Sequence, residues 1–117
     1  MNPPWRWRLF IANLDPVVGS EQAGTRPVII VSDEGYNRRM PLTTILPLTS
    51  RKPGRTVYLN EVLLESGTAG LSLESIVLVP QLRTISKRRL LTPLGYLDSQ
   101  DKQQQIMEIL RKHLGMW

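Results

Sequence analysis

The chain has 117 residues, enough for one domain that can bury roughly two-thirds of its unfolded surface. With 41% hydrophobic and 21% charged residues it is not disordered throughout, and no apolar run approaches the ~18–20 residues of a membrane span. The absence of cysteine excludes disulfides, Cys-type zinc sites and thiol catalysis, while 15 Lys and Arg against 10 Asp and Glu give a charge of +5 that points to a polyanionic partner, nucleic acid or an acidic protein.

Residues 1–10 show no apolar run followed by small residues, so no secretory leader is expected and the protein is placed in the cytoplasm. Leu9–Leu14 reads as a short apolar strand. Leu14–Pro27 (LDPVVGSEQAGTRP) is a polar loop, long enough to suggest function. Pro27–Ser32 (PVIIVS) is rich in branched residues and predicts a central, buried strand. Asp33–Glu34 follows it as a turn. Thr43–Leu48 (TTILPL) is a further strand, in which Pro47 signals an edge or a bulge.

Thr56–Asn60 alternates weakly. Ser75–Ile85 (SIVLVPQLRTI) is the longest strand expected, interrupted at Pro80, and Leu94–Leu97 is a last short one. Turn residues at Asp15–Pro16, Gly19, Gly24, Pro53–Gly54, Gly67 and Gly70 separate these strands, which argues for a small barrel or sandwich. A helix closes the chain, capped by Asp98 or Ser99, with Ile106, Ile109, Leu110 and Leu114 on one face. The expected core is Leu9, Ile11, Val28, Ile30, Ile45, Val77, Val79, Leu82, Ile106 and Leu110. Neither an internal repeat nor a linker is visible, so residues 1–117 are one domain.

The cations fall in two blocks. Arg26, Arg38, Arg39, Arg51, Lys52 and Arg55 form one; Arg83, Lys87, Arg88 and Arg89 form the other. Folded onto one face they would bind phosphates; apart, they are a solvated exterior. The lone histidine, His113, offers no catalytic dyad, and no His or acid cluster has metal-ligand spacing. No glycine-rich phosphate loop is present. Arg26 stands between the long loop and a buried strand, where its fork can clamp a phosphate or pair with Glu21 or Asp15. Thr49 places a hydroxyl at a strand end. Gln81 and Arg83 share a face suited to base and phosphate contact.

LDPVVGSEQAGTRPVIIVS, PLTS at residues 47–50 and LVPQLRTISKRRL at residues 78–90 stand in the order of a known family. From about Leu9 to Leu114 the chain resembles the MazF/PemK family of toxin endoribonucleases from bacterial toxin–antitoxin pairs. The resemblance implies a mainly β, SH3-like PemK-type barrel with a C-terminal helix, acting as a homodimer. It implies cleavage of single-stranded RNA, messenger RNA first, without metal or cofactor. The family's catalytic Arg and Thr fall on Arg26 and Thr49, and its RNA contacts on Ser20, Glu21 and Gln81. Arg83, Lys52, Arg55 and Lys87 would ring the same groove. An antitoxin with an acidic, flexible tail would block that groove.

Two positions depart from the family pattern. Trp7–Arg8 stands where Gly-Asp is usual, and Pro80 where Asp is frequent. A toxin of this fold that poisons DNA gyrase through a tail such as Gly115–Met116–Trp117 is an alternative, as is an inactive RNA-binding relative.

Overall fold

The structure is a computed structural model in which residues 3–116 are described. Alternating apolar positions dictate strands over most of this length. In chain order the elements are β1 (Arg8–Asn13), β2 (Thr25–Ile30), α1 (Glu34–Arg39), β3 (Leu42–Ser50), β4 (Glu61–Leu64), β5 (Ser75–Leu78), β6 (Arg83–Ser86), β7 (Leu90–Tyr96) and α2 (Gln100–His113). Every pairing is antiparallel, in the order β4-β5-β3-β2-β1-β7, with β6 also on β3. The expected mainly β architecture with a closing helix is what the chain adopts. No helix of the described residues is long and apolar enough to cross a membrane.

The run PVIIV is buried on both faces of β2, as its branched residues require. Ile29 and Val31 join Leu9, Leu46 and Leu48 in one core, under α2. Val28 and Ile30 point the other way, into a second core with Phe10, Ala12, Leu14, Ile45 and Ile85. Ser99 caps α2 by accepting from the Lys102 N–H at 3.2 Å. That cap contributes ~1 kcal/mol, whereas burying Ile106 and Leu110 contributes roughly 3–6 kcal/mol together, so packing holds the helix and the cap sets its start.

Several expectations need correction. Asp33–Glu34 is not a turn but the start of α1, with Asp33 as its cap. Residues 56–60 form no strand; the strand is β4, and a turn precedes it in which the Glu61 N–H donates to the Tyr58 carbonyl at 3.0 Å. β3 is central rather than an edge, and Pro47 sits where it passes from β6 to β5. Pro80 does interrupt the long strand. Residues 79–81 form a 3-10 turn, and the register against β3 slips by three residues across it. Ile11 and Leu82 are only half-buried.

Trp7 explains the first departure from the family pattern. Its φ is +72°, a conformation that glycine adopts freely, and its N–H donates to the Ile30 carbonyl at 2.7 Å. Here the indole fills the main core instead. A second close fit lies at the 3-10 turn Thr68–Gly70, whose backbone touches β7. A Cβ on Gly70 would stand 2.4 Å from the Leu94 carbonyl oxygen, and one on Gly95 would stand 2.6 Å from the Ala69 backbone.

Candidate active site

The long loop is braced rather than loose. The Leu14 N–H donates to the Gly24 carbonyl at 3.0 Å, and the Gly24 N–H to Asp15 Oδ1 at 3.0 Å. Two arginines hold the start of the loop. Arg83 Nη1 donates to the Leu14 carbonyl at 2.7 Å, and Arg89 Nη1 to the Asn13 carbonyl at 3.2 Å and to that of Asp15. Gln81 holds its middle, accepting from the Gln22 N–H at 3.3 Å and donating to the Ser20 carbonyl at 3.4 Å. Glu21 Oε1 accepts from the Val18 N–H at 2.8 Å.

Arg26 leaves this loop at the start of β2. Its Nε donates to the Ala23 carbonyl at 2.7 Å, and Nη1 to the Leu48 carbonyl at 3.3 Å. With its carboxamide oxygen toward the guanidinium, the orientation that matches acceptor to donors, Gln22 accepts from Nη1 at 2.7 Å and Nη2 at 3.2 Å. One Nη2 N–H is left for a ligand. Neither Glu21 nor Asp15 pairs with Arg26, and among the described residues no carboxylate neutralises it. The pairing alternative therefore gives way to an uncancelled cation fixed against the peptide that leads into Thr49.

Arg26 and Thr49 line one cleft of about 460 Å³, with Ser50 and Lys52 beside them and Ile11, Leu71, Leu73 and Leu94 as an apolar wall. Among the described residues no carboxylate or imidazole lines it. Thr49 also borders a neighbouring cavity of about 890 Å³, lined by the amides of Gln22, Asn60 and Gln81 and by Tyr58. A fixed guanidinium, hydroxyls and an ammonium can hold a phosphate and stabilise added negative charge on it. Among the described residues no three His, Asp or Glu side chains converge on a metal-sized site.

The other expected residues divide. Lys52 lies in the cleft. Ser20 and Glu21 are exposed on the loop, and Gln81 reaches the cavity next to Thr49. Arg83 braces the loop from below. Arg55 is not an open cation: its fork meets Glu61 at 2.7 and 2.8 Å and lies 5.0 Å from the Tyr58 ring. Lys87 does not ring the cleft. Its backbone N–H donates to the Pro41 carbonyl at the start of β3, and the eight residues from Leu42 to Thr49 span up to ~23 Å. Gln22 was not singled out in the sequence, because its importance lies in meeting Arg26. His113 is exposed on α2, away from the cleft, and Trp117 lies outside the described residues.

The Arg55–Glu61 pair makes a pH prediction. The Arg55 hydrogen bonds outweigh burial and hold the Glu61 carboxyl below its ordinary value of 4.5. Folded Glu61 thus binds its proton less readily than the unfolded chain does. The stabilisation is complete above the unfolded value and is lost as pH falls through the lowered folded one. Thermal melts of wild type and Glu61→Gln should therefore differ near pH 7 and draw together as pH falls below 4.5. A gap that is constant across this range would remove the ion pair as its cause.

The known proteins that this chain resembles share one description. A family model for the PemK-like, MazF-like toxin of type II toxin–antitoxin systems matches residues 6–114. Endoribonuclease EndoA of Bacillus subtilis (strain 168) is 32% identical over 106 residues, covering 89% of this chain and 90% of that protein. The crystal structure of MazF from Deinococcus radiodurans superposes with a TM-score of 0.81 at 31% identity, covering 97% of each chain. The MazE–MazF structure (Form-II) from the same organism gives a TM-score of 0.72 at 27% identity, covering 97% of each chain. Fold and sequence agree, and the chain belongs to the PemK-like, MazF-like toxin family of type II toxin–antitoxin systems.

Proposed function

We propose that this toxin is an endoribonuclease that cuts single-stranded RNA, with messenger RNA as its target, at a short sequence and without metal. The observation that carries this reading is the uncancelled Arg26 guanidinium beside Thr49, in a cleft that no carboxylate or imidazole lines among the described residues. The EndoA resemblance supports the substrate class.

In such a cleft the RNA supplies its own nucleophile. The 2′-oxygen bonds to phosphorus as its proton leaves, and the bond from phosphorus to the 5′-oxygen breaks as that oxygen gains a proton. The products are a 2′,3′-cyclic phosphate and a 5′-hydroxyl. Negative charge grows on the phosphorane oxygens, where the remaining Arg26 N–H and the Lys52 ammonium stabilise it. The Thr49 hydroxyl orients the phosphate. Arg26 is too weak an acid to act as the base, and that role is not assigned; Glu21 borders the adjoining space under the loop.

The active unit in this reading is a symmetric homodimer with RNA crossing both subunits. A cognate antitoxin shuts the cleft with an acidic, flexible segment. Its acids meet Arg26 and Lys52, and its apolar anchors meet Leu71, Leu73 and Leu94. The MazE–MazF resemblance supports such a partner.

The test is a cleavage assay in EDTA on protein whose mass has been measured by light scattering. Discrete cuts bearing 5′-hydroxyl ends, made by a dimer, are expected. Activity lost in EDTA and restored by a divalent ion would overturn the mechanism, and full activity from a monomer would overturn the assembly.

A further inference from the structure

A second group of uncancelled cations lies away from the cleft. Trp5 stacks on Phe10 with ring centroids 6.0 Å apart. The Arg8 guanidinium lies 4.7 Å from the Phe10 centroid and 5.5 Å from that of Trp5, and Lys87 Nζ lies 4.4 Å from the Trp5 ring. Lys87 Nζ also donates to the Asn37 carbonyl, which brings α1 and its exposed Arg38 and Arg39 alongside. Arg88 is exposed next to Lys87. The acids on this side are already engaged. Asp33 caps α1. Glu34 accepts from the Trp5 and Arg6 N–H groups at 3.0 and 2.8 Å and from Arg38 Nε at 3.0 Å.

How a cation is held decides what it can do. A carboxylate fixes the cation but cancels its field, as Glu61 does to Arg55. An aromatic face fixes it and leaves both the charge and most N–H donors for a ligand. Arg8 and Lys87 are held in this second way, and among the described residues neither forms an ion pair.

We infer that this face is a second contact for single-stranded RNA, taking the phosphates of nucleotides that lie outside the cut site. The inference rests on the ribonuclease reading above. Arg8 and Lys87 are its fixed cations, and Arg39 and Arg88 its mobile ones. Arginine and lysine donors against phosphate read charge and position rather than base sequence. The face therefore lengthens the RNA footprint and leaves the choice of cut site to the cleft.

The experiment compares two RNAs that carry the same cut site made uncleavable by a 2′-deoxy residue, one of roughly six nucleotides and one of roughly twenty. Affinities are measured over a range of salt for wild type, for Arg8→Gln/Lys87→Gln and for Arg39→Glu/Arg88→Glu. Wild type should favour the long RNA. The Arg8→Gln/Lys87→Gln protein should lose about five- to tenfold in the ratio of long- to short-RNA affinity. Its salt slope on the long RNA should flatten by about 1.4, at ~0.7 for each phosphate contact.

The Arg39→Glu/Arg88→Glu protein changes exposed side chains only, and the same ratio should fall if this face binds RNA; an unchanged ratio in it, when folded, overturns the inference. Unchanged ratio and slope in both variants also overturn it. So does wild-type protein that binds the short RNA and gains nothing from the long one, and that outcome leaves the ribonuclease reading standing. Wild type that binds neither RNA defeats both. Anionic phosphatidylserine vesicles bound through Arg8 and Lys87, with no preference for long RNA, would assign the face to a membrane instead.

Discussion

Replacing Arg26 by lysine should leave the fold intact and lower RNA cleavage by about 10²–10³-fold, the usual cost of removing one donor aimed at developing charge. Lysine keeps the charge. It loses the planar fork that donates at once to the Ala23 and Leu48 carbonyls and to Gln22. A single ammonium cannot bridge the loop and β3 while still presenting an N–H to phosphate. Thr49→Ala removes one hydroxyl and should cost roughly 10- to 100-fold, the range for one hydrogen bond to a charged group. Single-turnover cleavage, read beside circular dichroism, separates lost chemistry from lost structure. Wild-type cleavage by folded Arg26→Lys protein would remove the guanidinium from the reaction.

Gly70→Ala should destabilise the protein by about 2–5 kcal/mol, lowering the melting temperature by roughly 10 °C or more. Two costs add. Gly70 has φ +81°, which strains any residue with a Cβ, and the new methyl would meet the Leu94 carbonyl oxygen at 2.4 Å. Backbone on β7 cannot swing aside as a flexible side chain can. Gly67 is the internal comparison. Its φ is +87° with nothing within 4 Å, so Gly67→Ala bears only the backbone strain of about 1–2 kcal/mol. Equal melting temperatures for the two variants would show that contact with β7 is not what demands glycine at position 70.

What could be read in advance follows from how local each signal is. PVIIVS announces a strand buried on both faces because its four central residues, Val28 to Val31, are all apolar and branched. The closing helix shows in the spacing of Ile106 and Leu110. Arg26 and Thr49 were legible because they sit at strand ends within long motifs. α1 was not, because it is six residues long, contains Gly35 and has no apolar stripe. It is held by a tertiary contact, the buried Asn37, whose Nδ2 donates to the Ser32 carbonyl at 2.8 Å and whose Oδ1 accepts from Thr43 Oγ1 at 2.9 Å.

Charge was the least legible property. Arg55 and Lys87 look alike in a list of cations, yet one meets a carboxylate across a turn and the other meets an indole from a distant part of the chain. Lys87 stands only four residues after Arg83, but β6 carries it to the opposite end of β3. Sequence blocks of charge say how many cations there are; the register of the strands decides which face they share.

The pairing of β1 with β7 joins Arg8 to Tyr96. β1 lacks this partner until residues 90–96 have been synthesised. Closing a loop of that length costs roughly 4 kcal/mol of chain entropy before the contacts it permits begin to offset it. Pairings so distant in sequence form slowly, and nascent chains order their N-terminal parts first. The cleft draws its wall from both strands, Ile11 on β1 and Leu94 on β7. A ribosome making this toxin therefore carries an unfinished cleft until β7 has been made, well after Arg26 and Thr49.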